Sequence, residues 1–233
     1  MRAGTAIVTG SSSGIGRAIA ERLLADGWRV HGLDVAPAAI ADTNFSAHTV
    51  DLTDAVATEV ATGAALEAGA PDALVHCAGV ARLAPLGKLR DDDGRLLWQL
   101  HVDAATRLAN RVIPAMQAAN RGRVVMIGSR SSAGMAGRSQ YAASKAAIVA
   151  LAKSWAAEVV TDGVTVNVVS PAATATRMLA DPARAGTSPR MPPIGRFIEP
   201  REVAGLVAYL LSEDAAAITG QDIAICGGAT LQR

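Results

Sequence analysis

Aromatic residues are scarce in this chain: Phe, Tyr and Trp together make up 3% of it, although half of its residues are apolar. The apolar mass is therefore Ala, Val, Leu and Ile, which favours short, continuously buried strands packed under helices. A dominant sign of charge is also missing. The formal net charge is +1, with no long basic or acidic block, so nothing points to nucleic acid or an anionic membrane surface as a partner. Cysteine is limited to Cys77 and Cys226, far apart and at no metal-ligand spacing. Buried, reduced thiols of a cytosolic protein are expected, and no metal. No apolar run is long enough to cross a bilayer. The amino terminus passes from Met1-Arg-Ala-Gly4 straight into a strand-like run, with no signal-peptide pattern, so a soluble, cytoplasmic protein is expected. At 233 residues the chain suits one domain with a large core.

What is present alternates regularly. Thr5–Thr9 reads as a buried strand, followed by Gly10-Ser-Ser-Ser-Gly14-Ile-Gly16 and an amphipathic run from Arg17 to Ala25. In such a strand–turn–helix unit the glycines let backbone approach a pyrophosphate, and the helix amino end attracts the anion. The candidate contacts are Gly10, Ser12, Ser13, Gly14, Ile15 and Gly16; an ordinary glycine-rich turn is the competing reading. Trp28–Leu33 reads as the second strand, closed by Asp34. A carboxylate there can accept hydrogen bonds from the ribose 2′- and 3′-hydroxyls and would repel a 2′-phosphate. A basic residue able to hold that phosphate would be expected among Ser11–Ser13 or at Val35, and none is there; Arg17 is expected on the exposed face of the helix. The cofactor expected on this ground is NAD(H) rather than NADP(H). A helix cap ahead of Pro37 is the other role open to Asp34.

Ala47–Leu52 reads as a third strand with Asp51 and Leu52 at its carboxyl end, where Asp51 can take the adenine amino group; Thr53 or Asp54 would cap the next helix. Ala73–Gly79 is a fourth strand running into a small-residue turn, where Cys77, Ala78 and Gly79 let backbone reach the cofactor. One long helix is predicted from about Asp91 to Ala119, then a strand at Arg123–Ile127. Helix to about Val160, strand at Val164–Val169, helix from Glu199 to about Leu211 and a final strand within Ile218–Gly228 follow. Strands and helices alternating in this way imply a mainly parallel sheet of about seven strands, covered by helices on both faces. Its carboxyl edge collects the Gly10 turn, Asp34, Asp51, Gly79, Ser129 and Pro171, where an open α/β sheet places its ligand.

The chemistry is expected at Ser129 and Tyr141-Ala-Ala-Ser-Lys145. Four-residue spacing on a helix puts the phenol and the ammonium on one face. A free tyrosine titrates near ~10, so a base working near neutrality needs its phenolate stabilised by about 3 units, or ~4 kcal/mol. An ammonium ~4–5 Å away, at an effective dielectric of ~20, supplies roughly 3–4 kcal/mol. A serine just past the apolar run Val124–Ile127 can hydrogen-bond a substrate oxygen while Tyr141 exchanges its proton. Taken alone, a Tyr and a Lys four apart are usually surface decoration.

With these residues in hand, the chain resembles the classical short-chain dehydrogenase/reductase family over nearly its full length. Thr9–Gly16 resembles the family's T-G-x-x-x-G-x-G turn, and Tyr141–Lys145 its Y-x-x-x-K. Pro171-Ala-Ala-Thr-Ala-Thr176 resembles the segment that wraps the nicotinamide, with Thr174 and Thr176 at the contacting positions. Gly195-Arg196, Glu199-Pro200 and Ile218–Gly228 resemble its carboxyl-terminal signature. The resemblance implies a single-domain Rossmann-type doubly wound sheet spanning residues 1–233, with a substrate lid at about 174–196. It implies an alcohol dehydrogenase/ketone reductase with Ser129, Tyr141 and Lys145 as catalytic residues, acting on a small alcohol or ketone, in a homodimer or homotetramer.

Four departures stand out. The family's N-N-A-G is His76-Cys77-Ala78-Gly79. Pro171-Gly becomes Pro171-Ala172. The gap from Ser129 to Tyr141 is one residue short, which keeps Ser131 as a second candidate for the serine role. His101 replaces the family's fourth catalytic residue, an asparagine whose main-chain carbonyl is thought to hold a water bonded to the lysine. It either keeps that relay, adding an imidazole that titrates near ~6.5, or merely packs. Two further readings stay open: an NADP(H)-dependent reductase of acyl-thioester or other carbonyl substrates, and a non-catalytic dinucleotide-binding sensor or scaffold. Leu83, Met135, Met178, Leu179 and Met191 are expected to line an apolar substrate pocket, with Arg82, Arg130 and Arg138 available to a carboxylate.

Overall fold

The architecture comes from a computed structural model that describes residues 4–67, 69–180 and 189–231. Strands β1 (Thr5–Thr9), β2 (Arg29–Asp34), β3 (Phe45–Thr49), β4 (Ala73–His76), β5 (Gly122–Ile127), β6 (Val164–Pro171) and β7 (Asp222–Ile225) form one sheet. Their order is β3-β2-β1-β4-β5-β6-β7, and every pairing is parallel. Alternation within β1 shows why the core has two layers. Ile7 packs with Leu108, Val112 and Met116 of α4 (Ala104–Ala118) and with Ile148 of α5 (Ser139–Val159). Ala6 and Val8 point the other way, to Ile19 and Leu23 of α1 (Gly14–Ala25) and to Val207 and Leu210 of α6 (Pro200–Leu210). Each fully buried Val, Leu or Ile contributes roughly 1.5–3 kcal/mol, and small alanines between them let the helices lie close. Helix α2 (Ala55–Leu66) joins the α4–α5 face through Ala61 and Ala65.

Strand order reverses between β1 and β4. There the chain leaves first toward β2 and β3, then crosses back, so the carboxyl ends of β1 and β4 open a cleft. The fold expected from sequence is the fold observed, a single doubly wound Rossmann sheet.

One element differs from expectation in a way that matters. The long helix predicted from Asp91 to Ala119 is two helices, α3 (Asp91–Trp98) and α4, joined by a π-helical turn at Gln99–Asp103. Each residue of such a turn bonds five positions away, so one extra residue is inserted and the local side chains rotate. His101 and Val102 are thereby buried. Strand β3 ends at Thr49, leaving Asp51 and Leu52 in the turn beyond it.

Candidate functional site

A cavity of about 1110 Å³ runs along the carboxyl edge of the sheet, from Asp34 and Asp51 at one end past Gly79 to Ser129, Tyr141 and Lys145. At the first end, Gly10 and Gly14 have φ of 69° and 54°, in the left-handed region that glycine enters without penalty. At Gly16 the constraint is space: a Cβ there would collide with the carbonyl oxygen of Gly10. Thr9, at the end of β1, ties the two central strands together, its Oγ1 accepting from Cys77 N at 3.0 Å and Ala78 N at 2.9 Å. Gly10, Ser13, Gly14, Ile15 and Gly16 all line the cavity. Ser12 is not among the lining residues; its amide donates to Asp34 Oδ2 at 2.9 Å and its hydroxyl to Ala36 O at 3.2 Å.

Asp34 and Asp51 both line the cavity, and each also holds its own turn. Asp34 Oδ1 accepts from Ala36 N at 2.9 Å, and no helix follows for it to cap. Asp51 Oδ1 accepts from Thr53 N at 2.9 Å and Thr53 Oγ1 at 2.8 Å, while Asp54 caps α2 through Ala57 N at 3.0 Å. Leu52, Cys77, Ala78, Gly79, Pro171, Ala172, Thr174 and Thr176 complete this wall. Small residues, side-chain-free backbone at Gly10 and Gly16, and the open amino end of α1 together suit an extended dinucleotide with a pyrophosphate at the glycine turn.

At the other end Lys145 is 5% exposed and its Nζ donates to Ile127 O at 2.8 Å. Burial pushes the Lys145 ammonium down to about 8, because a charged amine loses hydration that one carbonyl does not replace. Ser129 caps a short 3₁₀ turn at Arg130–Ala133, its Oγ accepting from Ser131 N at 3.1 Å. That bond uses a lone pair and leaves the hydroxyl hydrogen for another acceptor. Ser131 also lines the cavity and is 2% exposed. The Tyr141 ring meets His101 edge-on, with centroids 5.7 Å apart at 83°.

Two buried polar residues beside the site were not legible from sequence. Ser144, inside the Tyr141–Lys145 stretch, is buried and 2.9 Å from His101 Nδ1. His76, buried at the end of β4, has Nδ1 3.2 Å from Thr9 Oγ1. Because Thr9 Oγ1 already accepts two amide hydrogens, its own hydrogen goes to His76 Nδ1, placing the ring proton on Nε2. Among the described residues that buried Nε2 has no partner within hydrogen-bond distance. Burial and the Lys145 charge push His76 down to about 3, against the opposing carbonyls of Leu100 and His101.

Leu83, Met135, Met178, Leu179 and Met191 line the cavity, as do Arg130 and Arg138. Arg82 does not; its Nε lies 3.6 Å from Asp93 Oδ1. Of the lid expected at 174–196, residues 181–188 lie outside the described residues. Its two ends are stitched together where Ala175 N donates to Ile198 O at 2.8 Å and Ile198 N to Ala173 O at 3.0 Å. Among the described residues no group of three or more His, Cys, Asp and Glu could hold a metal, and no helix is long and apolar enough to cross a membrane.

Comparison with known proteins agrees with this geometry. The family model described as enoyl-(acyl carrier protein) reductase matches residues 10–230. The chain is 38% identical over 234 residues to the 3-oxoacyl-[acyl-carrier-protein] reductase FabG of Escherichia coli K12, covering 96% of both chains. It is 36% identical over 230 residues to MabA, the corresponding reductase of Mycobacterium bovis, covering 95% of this chain and 91% of that one. Among solved structures, the aldohexose dehydrogenase of Thermoplasma acidophilum superposes with a TM-score of 0.91 at 27% identity, covering 100% of this chain and 96% of that one. These matches correct the cofactor expectation. They fall on the NADPH-dependent acyl-thioester reductases that the sequence left as the alternative, so NAD(H) does not stand. The inference failed because it rested on one carboxylate, and Asp34 has work of its own in holding the Ser12 and Ala36 amides. The glycine turn, the shared cavity and the full-length matches together make this chain a member of the classical short-chain dehydrogenase/reductase family, an NAD(P)-dependent oxidoreductase.

Proposed function

We propose that the protein reduces a 3-oxoacyl thioester to the 3-hydroxyacyl thioester, with NADPH as reductant. The observation that carries this is the convergence of Ser129, Tyr141 and Lys145 on the cavity that also holds the glycine turn, in a chain matching 3-oxoacyl-carrier-protein reductases along nearly its whole length. The dinucleotide, when bound, supplies the hydride. Gly10 to Gly16 and the amino end of α1 hold its pyrophosphate, and Thr174 and Thr176 flank its nicotinamide end. Ser129 offers its free hydroxyl hydrogen to the substrate carbonyl oxygen and stabilises the charge that develops there. Tyr141 gives that oxygen its phenolic proton. Lys145 favours the resulting phenolate by its charge. The apolar wall of Leu83, Met135 and Met178 suits an acyl chain. Like the family it belongs to, the chain is proposed to work as a homodimer or homotetramer, which light scattering will read as a mass two or four times that of one chain.

The test is an absorbance assay of nicotinamide oxidation with a 3-oxoacyl thioester, run with NADPH and with NADH, beside simple ketones, secondary alcohols and polyols. The proposal expects the thioester with NADPH to be turned over best. Preferred turnover of a simple alcohol or polyol would replace the substrate class, and dinucleotide binding without turnover on any carbonyl would favour the non-catalytic sensor.

A further inference from the structure

His101 is 0% exposed, and both of its ring nitrogens are engaged. Nε2 lies 3.2 Å from the backbone nitrogen of Val80, Nδ1 lies 2.9 Å from Ser144 Oγ, and Ser144 Oγ lies 2.9 Å from the carbonyl oxygen of Tyr141. The two ends of this chain fix every proton in it. A peptide N–H only donates, so His101 Nε2 accepts and the ring hydrogen sits on Nδ1. A carbonyl only accepts, so the Ser144 hydroxyl donates to Tyr141 O and accepts from His101 Nδ1. The polarity runs one way, from Val80 through His101 and Ser144 to the backbone of Tyr141. A second ring proton, on Nε2, would face the Val80 N–H directly.

We infer that His101 is a positioning residue, a permanently neutral imidazole that ties the first turn of α5 to the loop after β4 and so holds Tyr141 in place without exchanging a proton. The inference deepens the proposed reaction and rests on Tyr141 being its acid. An imidazole suits this bridge because its two nitrogens lie on opposite edges of a rigid ring, whereas an asparagine carries both functional atoms at one end of a shorter side chain. The titratable groups that face the ring are Lys145 and Tyr141 from α5 and His76 from β4. None of them is a carboxylate that would favour a charged ring, and burial together with the Lys145 and His76 charges holds His101 well below the usual imidazole range, against an opposing backbone contact at Val80. Gly79 belongs to the same device, since a Cβ there would come within 2.8 Å of His101 Nε2.

Two measurements test this. In ¹⁵N NMR of histidine-labelled protein, assigned with His101→Asn and His76→Asn, His101 should show the neutral Nδ1–H tautomer unchanged from about pH 8 to about pH 5.5, and His76 the opposite tautomer. A His101 signal that titrates within that range, or carries its proton on Nε2, overturns the inference. In kinetics, His101→Asn and Ser144→Ala should each lower kcat about tenfold with the KM for cofactor little changed. The double variant should be no worse than the single ones, because both break the same bridge. The pH–rate profile of His101→Asn should keep the parent's shape. Additive losses, or an inflection removed along with the imidazole, would contradict the clamp. The NMR arm needs no substrate, so a locked tautomer found beside an enzyme inactive on every thioester rejects the proposed substrate and leaves the clamp standing.

Discussion

Lys145 shows how burial is matched to a proposed role in one side chain. The side chain is buried, and among the described residues its Nζ has one acceptor, Ile127 O at 2.8 Å. An ammonium with so little solvation releases its proton near pH 8 rather than above 10, and once neutral it no longer supports a Tyr141 phenolate. Reduction should therefore be level near neutrality and fall as the pH rises through about 8. Lys145→Met should lose about a hundredfold in kcat at pH 7 and show a flatter alkaline limb, read from steady-state pH–rate profiles. Residues of this kind were legible because their spacing is local: Tyr141 to Lys145 is one helical step, and Ser129 follows its strand directly. His76 and Ser144 were not, since their partners are Thr9 and His101. Those pairings exist only once β1, β4, the π turn and α5 are brought together.

At the scale of elements, the alternation of strands and helices was readable because all-parallel strands buried on both faces are short apolar runs between glycine and proline punctuation. The break in the long helix was not readable. Gln99–Asp103 contains no proline or glycine to mark it, and its π turn sets His101 against Ser144 and Tyr141 of α5. The glycine turn is the element whose proposed role depends most directly on backbone. Gly16→Ala should keep the fold yet weaken dinucleotide binding at least about tenfold, because the new methyl meets the Gly10 carbonyl rather than a side chain that can swing aside. Isothermal titration with NADPH will check this; an unchanged affinity would mean that the pyrophosphate lies elsewhere.

Taken whole, the molecule keeps all four of its histidines below their ordinary range. His76 and His101 are shifted first by burial. His31 and His48, half-buried with ring nitrogens 3.2 Å apart on β2 and β3, are shifted by burial, with His31 lowered further by the charges of His48 and Arg29. A base whose folded pKa is depressed takes up protons on unfolding, so stability is intact above the unfolded value near ~6.5 and is lost as pH falls below it. For His76 that window extends down to about 3. At pH 5 the buried His76 imidazole should withdraw roughly 2 kcal/mol. That loss should lower the melting temperature by about 5 °C relative to pH 7.5, with His101 adding in the same direction, and His76→Gln should recover part of the fall in calorimetry. Equal melting temperatures at the two pH values would mean that these rings are charged or solvated.

The proposed reduction stands on Tyr141 as the group that hands a proton to the substrate oxygen. The most direct measurement is single-turnover reduction of a 3-oxoacyl thioester by Tyr141→Phe at saturating NADPH, with cofactor affinity determined on the same protein. The expected rate is about a thousandfold below the parent with affinity within about threefold, since Phe keeps the ring packed against His101 and removes only the hydroxyl. A Tyr141→Phe protein that reduces the thioester at a rate near the parent's would contradict it.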